Sequence, residues 1–146
     1  MNIEEMEKRL KTLEDIEAIK CLQNDYIFAL ASQQWDDMLD CFAEDGSADI
    51  WTHGLKKGKK QIRELFQGFS GNILPTHGHL VAQPVIKVDG DTAEGYWILY
   101  VFIDEPVTKY YQGKYECTYV RVNGAWKFKD LKYIRPWPPV PEAATS

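Results

Sequence analysis

Apolar positions change their spacing midway along the chain. From Leu13 to Gln33, Ile16, Ile19, Leu22 or Gln23, Tyr26 and Leu30 recur every three or four residues, which is one face of an amphipathic helix. Glu14, Lys20 and Asn24 fall on the opposite face. A second helix is expected from Trp35 to Phe42, with Trp35, Met38, Leu39 and Phe42 as its stripe. Asp36 and Asp37 suit the positive end of its dipole. Glu44-Asp45-Gly46 reads as a turn, and a short strand over Ser47 to Thr52 ends at His53-Gly54. Gly58 to Phe69 reads as a third helix with Ile62, Leu65 and Phe66 inward.

After residue 75 the period becomes two. His79 to Val88, Thr92 to Ile103, Thr108 to Val122 and Ala125 to Arg135 read as four antiparallel strands. Asp89-Gly90 and Asn123-Gly124 mark hairpin turns. The pattern predicts an α+β fold, a curved, mainly antiparallel sheet closed by N-terminal helices. It is one domain over 1–146, with a helical extension over 1–12 and a proline-rich arm over 136–146. Prolines at 136, 138, 139 and 141 bar that arm from helix or sheet interior.

Composition narrows the function classes. The 146 residues carry a net charge of −5, which argues against a nucleic-acid partner. No apolar run is long enough to span a bilayer, and the charged N-terminus does not resemble a signal peptide. Cytoplasmic residence is expected, with Cys21, Cys41 and Cys117 as reduced, buried thiols. Lys56, Lys57, Lys59, Lys60 and Arg63 form one basic cluster before a helix. It is either a solvated loop or, with the helix amides, a phosphate site for a substrate such as a coenzyme A conjugate.

Aromatic residues make up 13% of the chain, enough to line a cavity as well as fill a core. Trp51, Trp97, Tyr100 and Phe102 are candidates for such a lining. Alternation puts Trp97 on one face of its strand and Tyr100 and Phe102 on the other, and leaves open which face is inside. Thr76-His77-Gly78-His79 holds two of the three histidines. His77 and His79 share a strand face and could chelate an ion with His53 or Asp49, but such a pair alone is a weak metal signal. His79 is either a general base or a buried histidine hydrogen-bonded to backbone.

Four segments in order, "IEAIKCLQNDYIFALASQQWDDMLDCFAEDG", "GKKQIRELF", "HLVAQPVIKVDGDTAEGYW" and "YVRVNGAWKFKDLKYIR", resemble the SnoaL-like branch of the nuclear transport factor 2-like superfamily. Its bile-acid 7α-dehydratase type, and more distantly scytalone dehydratase, is the most similar subgroup. The resemblance implies a cone-shaped α+β barrel around a deep apolar cavity, without cofactor or metal. It implies a homo-oligomer, a dimer or trimer. It assigns Tyr26, His79 and Tyr115 to catalysis and Arg135 to substrate binding, with Trp51 and Trp97 as further binding candidates. The expected activity is that of a dehydratase (lyase) or isomerase that removes a proton next to a carbonyl of an apolar polycyclic or aromatic molecule. One departure stands out. The subgroup has an aspartate five residues after the helix tyrosine, where this chain has Ala31, and a second acid falls near Val101. A polyketide cyclase-like enzyme or a non-catalytic small-molecule binder is therefore the alternative.

Overall fold

The computed structural model describes residues 1–69 and 76–141. Helix α1 (Ile3–Ala31) opens the chain. Asn2 caps it by accepting from the Glu5 N–H at 2.8 Å, and Glu4 and Glu5 sit in its first turn. Residues 1–14 are all exposed, so only the second half of α1 packs against the domain. Helix α2 (Trp35–Asp40) and strands β1 (Phe42–Ile50) and β2 (Leu55–Lys57) follow. Next come α3 (Gly58–Phe69), β3 (Thr76–Asp89), β4 (Thr92–Ile103), β5 (Lys109–Val122) and β6 (Ala125–Ile134).

The strands form one mixed sheet in the order β2-β1-β6-β5-β4-β3. Among the described strands, only the β1–β6 pair is parallel. The helices cover one face and give the expected α+β cone. The sheet itself is not closed into a barrel, because β2 and β3 remain its two edges. The Asn123-Gly124 turn takes positive φ at both residues (50° and 81°), as a two-residue hairpin requires.

Three expectations need correction. Glu44-Asp45-Gly46 is not a turn but part of β1, at an irregularity in its register with β6 between Phe42 and Ser47. A Cβ at Gly46 would lie 3.0 Å from the Ala43 carbonyl oxygen and 3.1 Å from that of Phe128, so the close chain approach favours glycine. Strand β2 was not expected; its three residues are too few to show a period. Cys21 is exposed on the outer side of α1, while Cys41 and Cys117 are buried. Burial raises these two thiols to about 11 and about 12.

The outer side of the sheet answers the question of faces. Trp97 points inward with Ala93, Gly95, Leu99 and Val101, all buried. Tyr100 and Phe102 point outward and cluster with Tyr110, at ring-centroid distances of 5.9 to 6.5 Å. The mass of α1 over one face decides what alternation alone could not.

Two contacts fix the helix and the inner face. Asp15 on α1 is buried and receives both Arg121 guanidinium nitrogens at 2.9 and 3.0 Å. Lys11 at 3.1 Å and Trp126 Nε1 at 3.2 Å complete its shell. Arg121 also holds Asp91 beside the β3–β4 turn at 2.9 Å. The Arg121 hydrogen bonds, with those of Lys11 and Trp126, outweigh burial and hold the Asp15 carboxyl well below the usual carboxylate range. The second contact is Tyr133 on Gly113. A Cβ at Gly113 would come within 2.3 to 2.4 Å of the Tyr133 ring and hydroxyl. Gly113→Ala is therefore expected to push the ring away and cost about 1–3 kcal/mol, the usual range for overpacking. A denaturant midpoint for the variant equal to that of the parent would contradict this packing.

Candidate active site on the inner face

Each site residue is placed by register. Across the sheet, Tyr133, Tyr115 and Trp97 form one row. Tyr111, Val101 and His79 form another, nearer the β4–β5 connection. Four residues of β4 separate the rows, about 13 Å along a strand. Helix α1 lies over them and contributes Tyr26 and Gln23, three residues apart and so on one helical face.

Tyr26 is fully buried and meets Phe42, Phe66, Tyr115 and Phe128 edge-on, at centroid distances of 5.3 to 6.2 Å. Such edge contacts suit the ring quadrupole. Its hydroxyl, however, has no hydrogen-bond partner among the described residues. The neighbouring Tyr115 side chain partly offsets the rise in its pKa that burial causes. Burial raises both phenols, so both keep their protons at any physiological pH.

Tyr133 is the residue that sequence reasoning missed. It is buried, its ring centroid lies 5.4 Å from that of Tyr115, and its hydroxyl also lacks a partner among the described residues. Burial raises its phenol, and the nearby Arg135 guanidinium opposes that rise. The signal was available but broken. Trp126 and Phe128 point inward, then Leu131 and Tyr133, because one extra residue of β6 bulges where Thr118–Asp130 pairing passes to Tyr119–Phe128.

His79 is half-buried on β3, directly opposite Val101. Its Nδ1 is buried and has no partner among the described residues. Desolvation lowers its pKa below the ordinary imidazole value, so the ring is neutral near pH 7. The position expected to hold a second acid is thus the neighbour of His79, and it holds a buried valine. Ala31 ends α1 and is exposed.

The remaining candidates separate. Trp97 is buried and donates from Nε1 to the Tyr119 hydroxyl at 3.1 Å, which donates to Gln23 Oε1 at 2.9 Å. This chain of hydrogen bonds ties α1 to the sheet and gives Trp97 a structural duty. Trp51 follows β1 and is 43% exposed, enough for its ring to serve as a wall for solvent-borne groups. Arg135 lies between two rings, its Cζ 4.0 Å from the Trp51 centroid and 4.2 Å from that of Tyr111. In the basic cluster, Lys59 pairs with Glu44 at 3.0 Å, and Arg63 pairs with Asp36. The His77 side chain lies outside the described residues. Among the described residues, no three His, Cys, Asp or Glu side chains gather closely enough to hold an ion. No helix among them is long and apolar enough to cross a membrane.

The fold is shared with several solved structures. An NTF2-like protein with a cystatin-like fold from Novosphingobium aromaticivorans superposes with a TM-score of 0.80 at 20% identity, covering 98% of this chain and 96% of that one. A protein of the same organism, provisionally named a scytalone dehydratase, gives 0.71 at 22% identity, with 83% of each chain covered. LinA gives 0.71 at 19% identity, covering 86% of this chain and 88% of its own. At such identities the likeness establishes the fold. The sequence profile of the SnoaL-like domain matches residues 11–132, nearly the whole folded unit. By that match, the chain belongs to the SnoaL-like family, whose neighbours in structure include proteins named as small-molecule enzymes.

Proposed function

We propose that the protein is a cofactor-independent lyase or isomerase, acting on an apolar polycyclic or aromatic molecule with a carbonyl group. One observation carries this reading. His79 Nδ1, Tyr26 Oη and Tyr133 Oη are all buried, and none has a partner among the described residues. Buried polar atoms are ordinarily paired, and leaving one unpaired costs about 1–3 kcal/mol. With Gln23 Nε2, four such atoms lie on the inner face, an arrangement suited to the polar atoms of a ligand.

Their protonation states fit a division of labour. A neutral imidazole accepts a proton from the carbon next to a carbonyl. A phenol that keeps its proton donates a hydrogen bond to the carbonyl oxygen as it gains charge. In this scheme His79 is the base, Tyr26 the oxyanion donor, and Tyr115 and Tyr133 its flanking hydroxyls. Loss of a β-hydroxyl as water completes a dehydration; return of the proton at another carbon completes an isomerisation. Arg135 and Trp51 form the substrate-facing rim, and Trp97 backs the inner wall.

Tyr26→Phe tests the scheme, because function and stability should part company. Removing a hydroxyl with no hydrogen-bond partner among the described residues is expected to leave stability unchanged or about 1 kcal/mol higher. Removing the oxyanion donor is expected to lower kcat about 100-fold. The assay is exchange of the carbon-bound α-proton into D2O, followed by NMR, over a panel of hydroxylated polycyclic ketones. A variant that exchanges as fast as the parent would exclude Tyr26 from the chemistry.

A binding protein without turnover is the second reading, and a specific observation favours it. His79 faces Val101 rather than a carboxylate, so no acid orients the ring from the adjacent strand. Saturable binding of the same ketones with no exchange and no product would select this reading.

A further inference from the structure

The end of the inner face nearest the β4–β5 connection carries positive charge. Tyr111 ends the row that contains Val101 and His79, on the inward-facing alternation of β5. Arg135 Cζ lies 4.2 Å from the centroid of that ring, and Lys109 Nζ lies 5.7 Å from it. The two charges are therefore at most about 10 Å apart, within one Debye length at 0.1 M salt. Neither cation is the partner of Asp15, Asp36, Glu44, Asp45, Asp91 or Glu116, whose ion pairs go elsewhere. Asp104, in the same β4–β5 connection as Lys109, instead accepts from the Thr108 hydroxyl at 2.5 Å.

The packing of Arg135 matters as much as its charge. Trp51 and Tyr111 hold the guanidinium between them by cation–π contact, and a guanidinium carries a fork of N–H donors that matches an oxyanion. A fixed fork binds a planar, two-oxygen anion with little further loss of freedom. Arg135 also lies near enough to Tyr133 to influence its phenol, so the charged mouth adjoins the buried hydroxyls.

We propose that Arg135 and Lys109 form an anion subsite at the mouth of the inner-face site, and that the substrate is amphipathic. Its apolar body occupies the interior, and a carboxylate or phosphate engages Arg135 with Lys109 adding charge. This rests on the inner face being a small-molecule site, and the test separates the two claims. The probes are pyrene-1-butyrate, its primary amide, and inorganic phosphate and acetate as competitors, followed by pyrene fluorescence at low and at 0.5 M salt. The acid is expected to bind the wild-type protein at least 10-fold more tightly than the amide, a margin that shrinks with salt. Arg135→Gln is expected to remove that preference while the affinity for the amide stays the same. Arg135→Lys is expected to keep part of it, since charge remains and the fork is lost; Lys109→Gln is expected to lower it about twofold. Competition by phosphate beyond that by acetate would identify a phosphate subsite, and equal competition a carboxylate one. Equal affinity for acid and amide in the wild type, or a full preference retained in Arg135→Gln, would overturn the anion subsite alone. If neither probe binds, the interior site fails and the subsite with it. Thermal melts of each variant show whether a lost preference reflects lost folding, and Lys109→Gln, on an exposed residue, decides if Arg135 proves necessary for the fold.

Discussion

Replacing His79 with alanine should lower turnover by at least 100-fold and leave the fold intact. General-base catalysis by one side chain contributes about 10²–10⁴ in rate, which sets the scale. The fold should survive because His79 lies on an edge strand, is half-buried, and its Nδ1 makes no hydrogen bond among the described residues. The pH profile adds a second readout. Desolvation lowers the His79 pKa, so the neutral, proton-accepting form persists to a lower pH than for an ordinary imidazole. Activity should be level around neutrality and fall only on the acid side, with an apparent pKa below 6.5. Stability obeys the same sign. Between the folded and unfolded pKa values the unfolded chain binds the extra proton, so His79 costs stability as pH falls below the unfolded value. His79→Ala removes that cost and should narrow the difference in melting temperature between pH 7 and pH 5. Turnover in the variant within threefold of the parent would end the assignment of His79 as the base. Val101→Asp provides a converse check, since a carboxylate opposite His79 should move the acid limb to higher pH.

Asp15→Ala should be the most destabilising single change away from the site. Its carboxylate receives four donors from three residues besides covering the approach of α1 to the hairpin tips. Removing one partner of a buried ion pair costs about 3–5 kcal/mol. The lower end applies here, because Arg121 keeps Asp91 and so is not left alone. A loss of about 3 kcal/mol corresponds to a fall in Tm of roughly 10 °C for a domain of this size. Acid should produce part of the same effect. The Asp15 pKa is depressed, so its contribution is complete above the unfolded value near 4 and is lost as pH falls toward the folded one. Asp15→Ala should therefore be less sensitive than the parent to pH between 4 and 2, in calorimetry or circular dichroism. A Tm within 2 °C of the parent would show that the buried pair does not hold the helix.

How far the sequence reached depended on whether periods were uninterrupted. The second half of α1, α3 and the two hairpin turns follow from spacing and from glycines at positive φ. Strand β1 did not, because its irregularity exposes Glu44 and Asp45 within one strand, and together with Gly46 they imitate a turn. In the candidate site, Tyr26, His79 and Tyr115 all reach the inner face. Tyr133 was hidden by the bulge that shifts inward positions from Phe128 to Leu131. The gathering of Lys109 and Arg135 on one ring was out of reach, because it joins the ends of two strands 26 residues apart and shows in no local pattern. Trp51 was selected for its bulk alone; the structure gives it a partner, Arg135.

The position of β3 gives the two halves of the site unequal mechanical footing. Tyr115 and Tyr133 belong to strands held by a ladder on each side, and Tyr26 to a helix latched by Asp15. His79 belongs to a strand whose only strand neighbour among the described residues is β4, and that ladder is itself interrupted at Gln83-Pro84 opposite Trp97. Local opening draws on the least supported backbone first. The proposed hydrogen-bond donors thus sit on the firmly held wall and the proposed base on the compliant one. In the proposed site, a wider ring system would be accommodated by yielding at the imidazole while the hydroxyls keep their place.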